Sequence, residues 1–343
     1  MRTRLYHWLH RAWYEDAGGY WLLLPISGLY WVVVHLRRLL YHIGFFRQAR
    51  IAVPVIVVGN LTAGGTGKTP VCIWLAQRLK ERGFRPGIVS RGYGGNRSGQ
   101  PRVVDASSDP VEVGDEPVLL AKRGKCPVIV DANRVRAAEV LVATGCDLVL
   151  ADDGLQHLRL GRDYEICVVD GARGFGNRLL LPAGPLRDSL RLLASYDRLL
   201  VNGAPQQIAM PDTVPAPIVF ELRAQTCHRL NGSQSRSLCD FAGQTVHAVA
   251  AIGNPARFFA LLRSCGIQCI EHGLEDHATL DAGQLVFDDD YAILMTEKDA
   301  VKLGSKLSNR YWYVPVELEM DGALAETWLD SIESKLGLKR TVK

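Results

Sequence analysis

The stretch Gly59-Asn-Leu-Thr-Ala-Gly-Gly-Thr-Gly-Lys-Thr69 decides how the chain is read. Before it stands Ile51-Ala-Val-Pro-Val-Ile-Val-Val58, a mostly β-branched apolar run of the kind that forms a strand buried on both faces. After it, the run from Pro70 to Arg82 reads as a helix with proline in its first turn. Strand, glycine-rich turn and helix are the setting of a phosphate-binding loop. Gly64, Gly65 and Gly67 let backbone N–H groups wrap phosphate oxygens at the positive end of the helix, with Thr62, Ala63 and Thr66 completing the loop. Lys68 is placed to reach the β- and γ-phosphate oxygens, and the Thr69 hydroxyl to hold Mg²⁺. In the strict pattern G-x-x-x-x-G-K-[ST] the first glycine falls on Thr62, a departure of one residue. The segment marks a nucleoside-triphosphate site.

Downstream, Asp147-Leu-Val-Leu-Ala-Asp-Asp153 reads as a buried strand ending in two acids, the form of a Walker B element, in which one carboxylate holds the metal or its water shell. Gly87–Ser90, Pro127–Asp131 and Cys167–Asp170 read as further strands, and Asn133 to Arg136 as the opening of a helix. Alternating strands and helices predict an α/β domain with a largely parallel sheet, whose ligands collect at the carboxyl ends of the strands. The Gly171 to Gly176 segment carries G-x-x-G-x-G spacing, which is no dinucleotide fingerprint, and reads as loop. A polar, Pro- and Ala-rich stretch from Gln206 to Pro217 sets a boundary near residue 220. The expected division is 1–50, 51–220 for the nucleotide domain, and 221–343 for a smaller C-terminal α/β domain. In that last unit Thr245–Ile252, Tyr291–Thr296 and Tyr311–Val316 read as strands and Ala256–Cys265 as a helix.

The chain has 343 residues, 48% of them apolar and 22% charged, ordinary globular usage that excludes disordered, collagenous and disulfide-scaffold classes. Its eight cysteines form no C-x-x-C pair, which suits a reducing compartment and argues against structural zinc. The net charge of +4 is too small to imply a nucleic-acid partner. It is unevenly spread. The first fifty residues hold seven arginines against Glu15 and Asp16, a formal +5, which leaves −1 for the rest. They also hold four of the seven tryptophans and five of the eleven tyrosines. The uncharged run Tyr20 to Leu36, as a helix of about 25 Å, is short of a bilayer core, and Pro25 and Ser27-Gly28 are expected to interrupt it. Aromatics along its length and arginines on both sides favour a helix pair lying on an anionic membrane surface, peripheral and not spanning.

GNLTAGGTGKTP (59–70), SRGYGG (90–95), GDEP (114–117), DANR (131–134), DDGLQH (152–157), LPAGPLR (181–187), EDH (275–277) and MTEKDAVK (295–302) occur in this order. Together they resemble the tetraacyldisaccharide 4'-kinase family of Gram-negative bacteria, within the P-loop NTPase superfamily, over essentially the whole chain. That family carries the same Thr-for-Gly form of the loop. The resemblance implies a kinase domain with a mostly parallel sheet and helices on both faces, using ATP and Mg²⁺. It implies transfer of the ATP γ-phosphoryl to the 4'-hydroxyl of a tetraacyl glucosamine disaccharide 1-phosphate. The product is lipid IVA, on the route to lipopolysaccharide, made by a monomer at the cytoplasmic face of the inner membrane.

The resemblance makes Asp115 the candidate general base, with His277 orienting it and sharing its proton. Lys68 would neutralise phosphoryl charge, and Thr69, Glu116 and Asp152 or Asp153 would stand on the metal side. Arg91, Arg134 and Arg187 are candidates for pairing with phosphates, and Tyr93, Asn133, Gln156 and His157 for hydrogen bonds to the disaccharide. Thr296 to Lys302 has no assignable role. Trp74 and Leu75 are expected in the core. The rival from another class is a membrane-associated regulatory ATPase of the partitioning type. Those proteins usually place a lysine just before the first glycine of G-G-x-G-K-T, where this chain has Ala63.

Overall fold

The structure, a computed structural model, describes residues 2–15, 18–96, 99–205, 216–274, 280, 282–303 and 309–338. Two helices come first, α1 (Arg2–Tyr14) and α2 (Leu24–His42), the second entered through a 3-10 turn over Tyr20–Leu23. The expected break at Pro25 and Ser27-Gly28 does not occur. Pro25 falls in the first turn of α2, where a missing N–H has no helical partner to lose, and Ser27 Oγ donates to Leu180 O at 2.8 Å.

Strands and helices then alternate: β1 (Val55–Gly59), α3 (Lys68–Glu81), β2 (Pro86–Ser90), β3 (Arg102–Val104), α4 (Pro110–Val113), α5 (Asp115–Gly124), β4 (Val128–Val130), α6 (Arg134–Ala143), β5 (Leu148–Asp152), β6 (Tyr164–Asp170), β7 (Arg198–Asn202) and β8 (Ile218–Arg223). Next come β9 (Thr226–Arg229), β10 (Ser235–Ser237), β11 (Thr245–Ala250), α7 (Pro255–Ser264), β12 (Gln268–Gly273), β13 (Ala292–Thr296), α8 (Glu297–Ala300) and β14 (Tyr311–Val314). The last elements among the described residues are β15 (Glu317–Glu319) and α9 (Gly322–Leu336).

The first sheet has the order β15-β8-β7-β6-β1-β5-β2-β4-β3, parallel from β8 to β4 with an antiparallel strand at each edge. Its central strands are buried on both faces, as their unbroken apolar runs require. One face is covered by α3, α5 and α9, the other by α6 and the connections on either side of β6, through Leu155, Leu160, Phe175, Leu186 and Leu193. Trp74 and Leu75 lie in the first of these cores, and Trp74 stacks on Trp328 of α9 at 5.6 Å between ring centres.

The second sheet has the order β10-β9-β14-β13-β11-β12 and its own core around Phe241, Phe259 and Trp312. It accounts for residues 226–314, not for everything beyond 220. β15 returns to pair with β8, and α9 packs Trp328, Leu329 and Ile332 onto the first sheet. Arg82, just past the end of α3, holds α9 through Asp330 at 2.7 Å and Glu333 at 2.5 Å. The apolar face of α9 is therefore buried against the nucleotide domain, and the second sheet sits between two strands of the first.

Candidate active site

Parallel topology delivers the loops after β1, β2, β5, β6 and β7 to one edge of the first sheet, where Asn60, Ser90, Asp152, Asp170 and Asn202 are all buried. The glycine-rich turn has the backbone its sequence demands. Gly64 and Gly67 take φ of 102° and 98°, and a Cβ on Gly67 would stand 2.8 Å from Asn202 Nδ2. Thr62 and Thr66 are buried, and Thr66 O accepts from Asn202 Nδ2 at 3.1 Å. Ala63 N donates to Pro185 O at 2.7 Å, and Arg187 N to Leu61 O at 2.7 Å, so the 181–187 loop flanks the turn. Thr69 lies in the first turn of α3, whose N-terminus faces this edge.

Lys68 Nζ donates to Asn60 Oδ1 at 3.1 Å and stands 3.5 Å from Asp153 Oδ1. Arg187 Nη1 donates to both oxygens of Asp153, at 3.0 and 2.9 Å. The two adjacent acids therefore differ sharply. Burial alone would raise Asp153, but Lys68 and Arg187 outweigh it and hold the carboxyl down at about 2. Asp152 is buried without a cation that compensates it, and burial, reinforced by Glu116 and Asp153, pushes it up to about 7. Its oxygens meet Cys72 Sγ at 3.6 Å and Ser90 Oγ at 3.4 Å.

Among the described residues no three His, Cys, Asp or Glu side chains form a cage for a metal. Mg²⁺ needs less: it keeps several waters and takes one or two carboxylates together with substrate phosphates. An under-compensated carboxylate beside the phosphate loop fits such an ion.

Asp115 and Glu116 open α5. Asp115 is buried, and its Oδ1 accepts from Glu116 N at 2.9 Å. Across from them stand two lysines of the second unit. Lys302 Nζ is 3.6 Å from Asp115 Oδ2, and Lys298 Nζ is 4.0 Å from that oxygen and 2.9 Å from Glu116 Oε1. The expected partner of Asp115, His277, lies outside the described residues, as does the rest of the EDH segment.

The remaining candidates separate. Arg134 is 3% exposed and donates to the carbonyls of Asp131 at 3.2 Å and Ala132 at 3.5 Å. Its Nε has no hydrogen-bond partner among the described residues. Burial and the nearby Arg91 lower its pKa to about 10. His157 is half-buried, and burial with Arg134 and Arg162 lowers it to about 4, so it is neutral near pH 7. Arg91 and Arg134 thus form a cationic corner suited to an anion, with the neutral His157 ring beside it. Asn133 caps α6 by accepting from Arg136 N, Gln156 Nε2 donates to Asn60 O at 3.1 Å, and Tyr93 is exposed. Arg187 is taken by Asp153, which leaves it less free for substrate phosphate than the sequence suggested.

Sequence reasoning passed over Asn60, Asn202, Arg173, Arg257, Lys298 and Lys302. Arg257 Nη2 donates to Asn202 Oδ1 at 2.6 Å, and Arg173 Nη2 to Gly253 O at 2.7 Å, bringing the second unit onto the phosphate loop. Asn60 and the two lysines stand inside quoted motifs and were findable there. The others have no local signal, because their roles depend on how the two sheets meet.

A strand–glycine-loop–helix unit, acids at the end of the adjacent strand and a parallel sheet define a P-loop nucleoside-triphosphate enzyme. The family model for tetraacyldisaccharide-1-P 4'-kinase matches residues 19–333. The tetraacyldisaccharide 4'-kinase of Alkalilimnicola ehrlichii is 48% identical over 93% of each chain. That of Nitrosococcus oceani is 43% identical over 97% of this chain and 96% of its own. The Aquifex aeolicus protein named LpxK, solved in complex with ATP, superposes with a TM-score of 0.74 at 26% identity, covering 92% of this chain and 99% of that one. The chain belongs to the tetraacyldisaccharide 4'-kinase family.

Proposed function

We propose that the protein transfers the γ-phosphoryl of ATP to the 4'-hydroxyl of tetraacyldisaccharide 1-phosphate, giving lipid IVA, with Asp115 as the base. The observation that carries this reading is the convergence on one sheet edge of Lys68, the Asp152–Asp153 pair and the Asp115–Glu116 pair. Loop N–H groups and Lys68 hold the phosphates and offset their charge. Asp115, oriented by His277, accepts the hydroxyl proton as the oxygen attacks the γ-phosphorus and ADP leaves. Thr69 and Asp152, with Glu116 and Asp153 near, would hold Mg²⁺, which would supply positive charge to offset that of the transferred phosphoryl group. Arg91 and Arg134 supply the donors for an anionic group of the acceptor, and Tyr93, Asn133, Gln156, His157 and Arg187 line its approach.

The second unit serves as a cap over the loop, in a kinase that works as a monomer without nucleic acid. The first fifty residues hold it on the anionic cytoplasmic surface of the inner membrane. The helical segment Tyr20–His42 has 23 residues, longer than the uncharged run alone, and is by length and composition long and apolar enough to cross a membrane; Trp21, Leu29, Trp31, Val33 and Leu36 are exposed along it. Arginines beside an exposed apolar face suit an interfacial helix.

The test is stoichiometric. Detergent-solubilised protein with ATP and Mg²⁺ is assayed for ADP with and without the disaccharide acceptor. ADP release that depends on acceptor and equals phosphorylated lipid supports the kinase. ADP release indifferent to acceptor supports the regulatory ATPase instead.

A further inference from the structure

The segment Met295-Thr-Glu-Lys-Asp-Ala-Val-Lys302 ends β13 and forms α8. Its centre is Asp299, 0% exposed. Asp299 Oδ2 accepts from Thr296 Oγ1 at 2.6 Å and from Ala251 N at 2.9 Å, while Oδ1 pairs with Lys302 Nζ at 3.0 Å. A four-residue helix has little stability of its own, so this buried carboxylate fixes its direction. Lys298 on α8 and Lys302, two residues past its end, are thereby held on one face of this turn. That face meets the start of α5. Arg123, near the end of α5, closes the same junction on Glu297 at 2.8 Å.

Lys298 and Lys302 are each mostly buried, and so is Asp115. Taking several charges out of water to join two sheets is a poor way to gain stability, since apolar side chains of similar size would do as well or better. What charge pairs supply and apolar contacts do not is fixed direction for a carboxylate. We propose that Lys298 and Lys302 are positioning residues for phosphoryl transfer, holding the carboxylates of Asp115 and Glu116 in the orientation the reaction needs. The proposal rests on the reading of Asp115 as the base. It makes the seating of the second sheet on α5 a condition for turnover. Small displacements of a reacting group cost about 10- to 100-fold in rate.

The experiment uses the full chain in detergent with ATP, Mg²⁺ and the disaccharide acceptor, and compares K302M, K298M, K302R and D115N. Melting curves establish that each variant is folded. The expected result is a kcat loss of about tenfold or more in K302M and K298M with KM for ATP within about twofold. K302R should recover most of the lost kcat, and D115N/K302M should be no slower than D115N alone. If K302M does not fold, K298M carries the same comparison through Glu116. Retention of kcat in both methionine variants while D115N is inactive overturns the positioning role and leaves Asp115 in place. An active D115N overturns the base assignment, and with it this proposal.

Discussion

Arg187 and Asp153 form a close pair, with Nη1 of the arginine within 3.0 Å of both carboxylate oxygens. The pair lies between two parts of the molecule. On one side, Asp153 stands 3.5 Å from Lys68 of the phosphate loop. On the other, the carbonyl of Arg187 accepts from Tyr30 Oη at 3.0 Å, and its neighbour Asp188 pairs with Arg38 Nη2 at 2.5 Å. Tyr30 and Arg38 belong to α2. A helix proposed to lie on the membrane is thus three contacts away from Lys68.

Removing the arginine should therefore act on rate more than on fold. In R187M, Asp153 keeps Lys68 as its single cationic neighbour of the two and draws it from the phosphates. We expect kcat to fall by about 10- to 100-fold, measured with the acceptor at saturation. R38M removes the partner of buried Asp188 and should cost about 2–3 kcal/mol in denaturant unfolding, below the full penalty because Arg38 is partly exposed. An R187M enzyme of normal kcat would detach Arg187 from the site.

The neutral state of His157 gives a pH signature. Its pKa is about 4 in the folded chain against an ordinary value near 6.5, so the unfolded chain takes up the proton first as pH falls. Stability is intact above pH 6.5 and declines as pH drops toward 4. H157Q should flatten that decline by about 1 kcal/mol after allowance for solvent screening. The measurement is Tm at half-unit steps from pH 7.5 to 4.5. Parallel curves for the two proteins would contradict the assignment.

As the proposed metal-side carboxylate, Asp152 should make the metal requirement depend on pH. With its carboxyl near 7, a cation has to displace a proton at pH 6 but not at pH 8. Half-saturation by Mg²⁺ should be about tenfold tighter at pH 8 than at pH 6, beyond the change seen for Mg²⁺ and free ATP. D152N should lose most activity and should also gain stability above pH 7 without Mg²⁺, because an ionised buried carboxylate is gone. A wild-type requirement for Mg²⁺ that does not move with pH would remove Asp152 from the metal side.

The exposed face of α2 predicts a separable membrane phenotype. L29E/V33E places two acids among Trp31, Leu36 and the arginines without touching the buried Ser27 contact. Flotation with vesicles containing anionic lipid should fall several-fold, while the melting temperature stays within about 2 °C. Unchanged flotation would place the membrane contact elsewhere.

What the sequence made legible was local. Gly64, Gly67 and Lys68 could be placed because a phosphate loop imposes its backbone and spacing on neighbouring residues. The paired acids at the end of β5 followed from a strand pattern. Pro25 was misread because its effect depends on helix register, and first-turn proline is tolerated where mid-helix proline is not. The return of β15 and α9 was hidden for another reason. The apolar spacing of Ala325, Trp328, Leu329 and Ile332 announces an amphipathic helix but not which sheet it covers. Lys298 and Lys302 stand inside a quoted motif and could be singled out, but their approach to Asp115 depends on how two units pack, which the motif alone does not encode.

The most direct test of the central claim follows the phosphoryl group. Wild-type protein and Lys68→Ala are given γ-labelled ATP, Mg²⁺ and tetraacyldisaccharide 1-phosphate in detergent, and the lipid is examined by chromatography and phosphorus NMR. Label at the 4'-position with the wild type, lost in Lys68→Ala, is the predicted result. Label recovered as free phosphate, with or without lipid, would contradict it.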